Sequence, residues 1–131
     1  MRLLSISSGK VASLFGNNHP DYKSVASAIV KTKVSDLQTP TPIEITKLGV
    51  KGDEQADPSV HGGIEKAIYV YPAEHYAFWN TLLTRETKRT VELQHGAFGE
   101  NFTTALSAPA QQARVFVYRA AQGLSQLPVN I

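Results

Sequence analysis

The sequence predicts a mainly β domain of barrel-like or α+β architecture, with one or two helices. Three observations carry that expectation. Short β-favouring runs recur between turn-forming clusters, a single stretch changes to a helical period, and 131 residues suit one domain with one core.

Leu4, Ile6 and Ser8 alternate with Ser5 and Ser7 before Gly9, the pattern of a first short strand ending in a turn. Gly16 to Asp21 reads as a loop by composition. From Ala26 to Val34, Ile29, Val30, Thr32 and Val34 are β-branched and lysines oppose apolar neighbours, predicting a half-buried strand. The turn Thr39-Pro40-Thr41-Pro42 leads to a third strand, with Ile43 and Ile45 on one side and Glu44 and Thr46 on the other. Ala67 to Tyr71 is a compact β run ending at Pro72, which cannot donate to a ladder but suits a first helical turn. Beyond it Tyr76, Trp79, Leu82 and Leu83 recur at helical spacing, with Glu74 near the positive end of the helix, so a helix is expected from Pro72 to about Thr84. Val91 and Leu93 flank Glu92 as a short strand. From Ala105 to Ile131 there is no acidic residue, and Arg114 to Tyr118 forms one further β run.

Bulk properties narrow the function. The chain has no cysteine, which excludes a disulfide framework and a thiolate metal site built from its own residues. No apolar run approaches the roughly 20 residues that span a bilayer, and the amino-terminal stretch is polar too soon for a secretory signal, so a cytoplasmic protein without a membrane partner is expected. The net charge is only +2, and the local pairs Lys31 with Lys33 and Lys88 with Arg89 read as solvated faces. Neither pair is interleaved with stacking aromatics, so no nucleic-acid polymer is expected as a partner.

Two glycine-punctuated polar stretches stand out, Gly52 to Gly63 and Gly96 to Thr104. In the first, Asp53, Asp57 and His61 lie four residues apart, with Glu54, His95 and Glu100 as further donors. Together they read as a divalent-metal group able to activate water, although Pro58 breaks any helical register, or Asp53, Asp57 and Ser59 read as turn caps bonding local backbone. His61-Gly62-Gly63, followed by Lys66, reads either as a concave backbone nest for a phosphate or oxyanion or as a tight turn into a strand. In the second stretch, Asn101, Thr103 and Thr104 offer groups to a polar ligand, or they belong to a glycine-rich connection and a β edge. Tyr69, Tyr71, Tyr76, Phe78 and Trp79 read as core packing of strand against helix, with polar tips near the surface.

Taken in order, Gly52-Asp53-Glu54-Gln55-Ala56-Asp57, Val60-His61-Gly62-Gly63, Lys66-Ala67, Tyr71-Pro72, Glu74-His75-Tyr76, Trp79 and Gly96-Ala97-Phe98-Gly99-Glu100-Asn101 resemble the MOSC domain, most closely its stand-alone bacterial YiiM type, which confers resistance to hydroxylaminopurine. The resemblance implies a β-barrel of the pyruvate-kinase type holding a molybdenum cofactor, and reduction of small N-hydroxylated bases with electrons from a separate reductase. By position it places His61, Gly62, Gly63, Lys66, Gly99, Glu100 and Asn101 in the cofactor pocket. Backbone amides and Lys66 would hold the anionic phosphate, and Asn101 and Thr103 the polar groups of pterin or substrate. No catalytic residue is assigned, and pyridoxal phosphate is not expected.

The family pattern continues through further strands to a proline-cysteine pair whose thiolate is the expected molybdenum ligand. Here the pattern ends near Thr104, giving a partial domain over 1–104 and a divergent tail over 105–131, as a truncation or frame shift would. The resemblance therefore implies an incomplete barrel, with self-association through open strand edges, and an oxidoreductase family whose metal ligand is missing from this chain. The residues alone also allow a non-catalytic anion-binding module or a divalent-metal hydrolase.

Overall fold

A computed structural model of the protein describes residues 1–14, 25–59 and 62–106. Gly16 to Asp21, His61 and Arg114 to Tyr118, for which the sequence predicts a loop, a pocket residue and a β run, lie outside the described residues. Within them the chain is mainly β with one α-helix, as expected, and the sheets are not closed into a barrel.

The main sheet has four strands in the order β4-β1-β8-β7. These are β1 (Arg2–Ser8), β4 (Thr32–Asp36), β7 (Val70–Pro72) and β8 (Phe102–Ala105). Strand β1 pairs antiparallel with both β4 and β8, whereas β7 pairs parallel with β8. A parallel pair requires a crossover, and the helix α1 (Glu74–Thr87) supplies it. Two small ladders flank the sheet. Strand β2 (Ala12–Ser13) pairs with β3 (Ala26–Ser27), and β5 (Ile45–Thr46) pairs with β6 (Gly49–Val50).

The buried face of β1 is its serine face. Ser5 and Ser7 are buried while Leu4 and Ile6 are only half-buried. Ser7 lies under Gly96, where an added Cβ would stand 3.1 Å from the serine Oγ and 3.0 Å from the Lys31 carbonyl oxygen. Small side chains are therefore needed where two backbones approach this closely.

Four sequence expectations shift. The predicted strand from Ala26 to Val34 is two strands in different sheets, because residues 28–31 leave the ladder and form a cavity rim. Pro72 ends β7 instead of starting the helix. It occupies the sheet edge among the described residues, where its missing N–H costs no ladder bond, and the Ala73 N–H then donates to the Thr104 carbonyl at 2.7 Å. Val91 to Leu93 is an extended latch, with the Val91 and Leu93 N–H groups donating to Thr84 Oγ1 and Asn80 Oδ1 on α1, each at 2.9 Å. Finally, Thr103 and Thr104 lie in β8 between two strands, both buried, so that they are interior and not an edge.

Aromatic packing joins the sheet to the helix, as read from the sequence, except that Phe78 is 62% exposed on the outer face of α1 and lies outside the core. Tyr71 packs on Phe98 with ring centres 4.6 Å apart, Tyr76 meets Phe98 edge-on at 5.2 Å, and Trp79 Nε1 donates to the Tyr71 hydroxyl at 3.0 Å.

Candidate functional site

Both glycine-punctuated stretches line one cavity of about 450 Å³. The first contributes Asp53, Gln55, Asp57 and Gly62, followed by Lys66. The second contributes Phe98, Gly99 and Asn101. The irregular stretch between β3 and β4 adds Ile29 and Lys31, and Tyr69 completes the wall.

Local conformation explains the glycines. Gly62 and Gly99 have φ of 94° and 77°, where L side chains are strained. A Cβ on Gly62 would lie 2.3 Å from Gln55 Cδ, and one on Gly99 would lie 2.7 Å from Ile29 Cγ1. Bare α-carbons thus let Gln55 and Ile29 close down on the cavity wall.

At the cavity floor lies a buried charge network. Lys31 Nζ donates to both Asp53 oxygens at 2.6 and 2.8 Å, and both side chains are 7% exposed. Asp53 also accepts from the Gly9 N–H at 2.7 Å and from Asn101 Nδ2 at 2.8 Å. Asn101 in turn accepts the Tyr69 N–H at 3.1 Å and donates to the Ser7 carbonyl at 3.3 Å. One carboxylate and one amide therefore tie five segments together, those of Ser7 to Gly9, Lys31, Asp53, Tyr69 and Asn101.

This network corrects the reading of Lys31 as solvated. Lys33, 45% exposed and paired with Asp36, does belong to a solvated face. The signal for Lys31 was available in sequence only as a lysine embedded among β-branched residues, without anything to identify Asp53 as its partner. Gln55 was likewise missed. Its Oε1 accepts the Gly63 N–H at 2.7 Å and its Nε2 donates to the Leu48 carbonyl at 3.3 Å. The Gly63 N–H is thus held by a side chain.

Glu100 and Thr103 do not line the cavity. Glu100 is fully buried behind the Gly96–Gly99 turn. Its Oε1 accepts from the Gly96 N–H at 2.8 Å, from Thr103 Oγ1 at 2.9 Å and from the Tyr76 hydroxyl, while Oε2 accepts from the Phe98 N–H at 3.1 Å. Burial, followed by the bond to Glu100, pushes the Tyr76 phenol far above its ordinary range. His95 stands nearby, its Nδ1 hydrogen-bonded to Ser5 Oγ at 2.8 Å, and burial lowers its pKa.

Lys66, on the short 3-10 turn Ile64–Lys66, is exposed at the cavity, and its ammonium forms no hydrogen bond or ion pair among the described residues. Asp57 accepts from the Ser59 N–H at 3.0 Å, the turn-capping expected of it, whereas Asp53 bonds the remote Gly9 and Lys31 and is not a local cap. Among the described residues no three His, Cys, Asp or Glu side chains are grouped to hold a metal ion. Nor is any helix among them long and apolar enough to cross a membrane.

The family model for the MOSC domain matches residues 57–122, half of the chain, and the protein belongs to that family. Among its relatives is YflK, an uncharacterised protein of Bacillus subtilis, 40% identical over 76 residues that make up 58% of this chain and 32% of YflK. YiiM of Escherichia coli is 42% identical over 72 residues, 54% of this chain and 30% of YiiM. A protein of Gibberella moniliformis named as a reductase is 39% identical over 64 residues, 48% of this chain and 10% of that much longer chain. The alignments thus cover about a third or less of each relative's length.

Proposed function

We propose that this chain forms the anion- and pterin-facing wall of a molybdenum-cofactor pocket in an oxidoreductase that reduces small N-hydroxylated compounds, with electrons delivered by a separate reductase. The observation that carries the reading is the convergence of both glycine-punctuated stretches on one cavity with a lysine whose ammonium has no partner among the described residues. The residues fit the organic, anionic part of that cofactor. Gly62 and Gly99 permit close approach to backbone, and Lys66 offers an ammonium to a phosphate. The fit stops at the metal, because a cysteine-free chain provides no thiolate.

Such a cofactor, with its metal ligand supplied from outside this chain, would bring two-electron, two-proton reduction of an N–O bond to amine and water. The chain's own residues orient the ligands and exclude water. The Lys31–Asp53–Asn101 network fixes the floor on which the glycine turns rest, and Lys66 provides the exposed charge. Its exposure sets its contribution to anion binding at the modest level of a solvent-screened cation.

Purified protein analysed for molybdenum and for pterin, alone and after Lys66→Ala, tests the reading. Pterin in the wild type, reduced several-fold in Lys66→Ala, is expected, whereas molybdenum and reduction of an N-hydroxylated base by a separate reductase are expected only when a thiolate is supplied from outside this chain. A protein free of pterin after expression in a cofactor-producing host refutes it. The missing thiolate favours a second reading, a non-catalytic anion-binding module, for which an organic anion would be retained without molybdenum.

A further inference from the structure

The polar groups around the cavity divide into those already committed and those still free. Asn101 uses its amide oxygen and nitrogen on Tyr69, Ser7 and Asp53. Asp53 is held by Lys31, Gly9 and Asn101, while Gln55 is held between Gly63 and Leu48. Glu54 accepts from the Val11 N–H and from Lys10.

Tyr69 is different. It is half-buried and lines the cavity, yet its hydroxyl has no hydrogen-bond partner among the described residues. Its backbone is fixed at both ends of the peptide, since its N–H donates to Asn101 and its carbonyl accepts the Asn101 and Phe102 N–H groups at 2.9 and 3.0 Å. The ring is braced edge-on against Tyr71 at 6.2 Å. Phe98 and Ile29 line the same cavity and supply apolar surface.

We propose that Tyr69 is a specificity-determining residue of this cavity, its phenol hydroxyl recognising the N–O oxygen of a planar N-hydroxylated base whose ring lies against Phe98 and Ile29. This inference rests on the substrate class of the proposed function and extends it to a residue. Burial, with Tyr71 and the Glu100 carboxylate nearby, raises the phenol pKa, so the hydroxyl remains protonated and able to donate at neutral pH. A fixed phenol with an unused donor discriminates between two ligands that differ by one oxygen, because only one of them satisfies it.

The test is equilibrium binding of 6-hydroxylaminopurine and of 6-aminopurine to the full chain and to Tyr69→Phe, with matched cofactor content and with melting curves for both proteins. The wild type is expected to prefer the hydroxylamino compound by roughly five- to tenfold, the worth of one net hydrogen bond in a partly open site. Tyr69→Phe keeps the ring and its packing, and is expected to bind both purines equally while melting within a few degrees of the wild type. Preference retained in Tyr69→Phe overturns the assignment of Tyr69 and leaves the proposed function standing. A wild type that binds neither purine overturns the substrate class and this inference together.

Discussion

Replacing Glu100 by Gln should destabilise the protein by about 2 kcal/mol, although the change is nearly isosteric. The magnitude follows from the donors around the carboxylate. Oε1 receives the Gly96 N–H and two hydroxyls, and Oε2 receives the Phe98 N–H. The hydroxyls of Thr103 and Tyr76 can rotate to other acceptors, but the two backbone N–H groups cannot. A glutamine must set its NH₂ against one of them, and the less costly choice faces Phe98 N–H, leaving one donor unsatisfied at about 1–3 kcal/mol. Glu100→Ala removes both acceptors and leaves a cavity, so about 4 kcal/mol is expected. Urea unfolding followed by Trp79 fluorescence is a direct assay, because Trp79 is the one tryptophan and packs against Phe98 at 6.0 Å. With a slope of about 1.5 kcal/mol/M, the Gln variant should unfold about 1.3 M earlier. A midpoint within about 0.3 M of wild type would refute the claim that this carboxylate anchors the glycine turn.

Asp53→Ala should cost about 3–5 kcal/mol, measured in the same way, because it leaves the Lys31 ammonium buried without its partner. His95 yields a pH prediction whose sign is fixed by burial. Its folded pKa lies below the unfolded value, so the unfolded chain binds more protons, and stability should fall as pH drops below about 6.5. His95→Asn should flatten that part of the melting-temperature profile between pH 7 and pH 5, and an unchanged slope would count against it.

The fold was legible where its pattern is local. The helix shows in the spacing of Tyr76, Trp79 and Leu83, and β1 in its alternation, because period alone fixes which residues share a face. Partners remote in sequence were not legible. Lys31 and Asp53 stand 22 residues apart, and neither position alone distinguishes a buried pair from two solvated charges. Thr103 reads as an edge until β1 and β7 arrive on either side of it. Val91 to Leu93 has strand-like alternation but spends its N–H groups on helix side chains, a use of the backbone that propensity does not encode. At the site, the glycines were legible because positive φ and close approach demand them. The roles of their neighbours were not: Glu100 and Asn101 follow Gly99 directly, yet one turns into the core and the other into the charge network.

That adjacency separates two kinds of contribution to ligand binding. Gly99 lines the cavity while Glu100, the next residue, holds the turn through Gly96 and Phe98. Loosening Glu100 should therefore weaken binding without any loss of a ligand contact, because the wall itself loses its fixed position. Lys66 has the opposite profile, being exposed, with an ammonium that forms no hydrogen bond or ion pair among the described residues. Lys66→Ala should leave the urea midpoint within about 0.3 M of wild type while reducing inorganic pyrophosphate binding several-fold, whereas Glu100→Gln should lower both. Equal losses of stability in the two variants would mean that Lys66 has a structural partner. Pyrophosphate binding that survives Lys66→Ala unchanged would remove the lysine from the anion site.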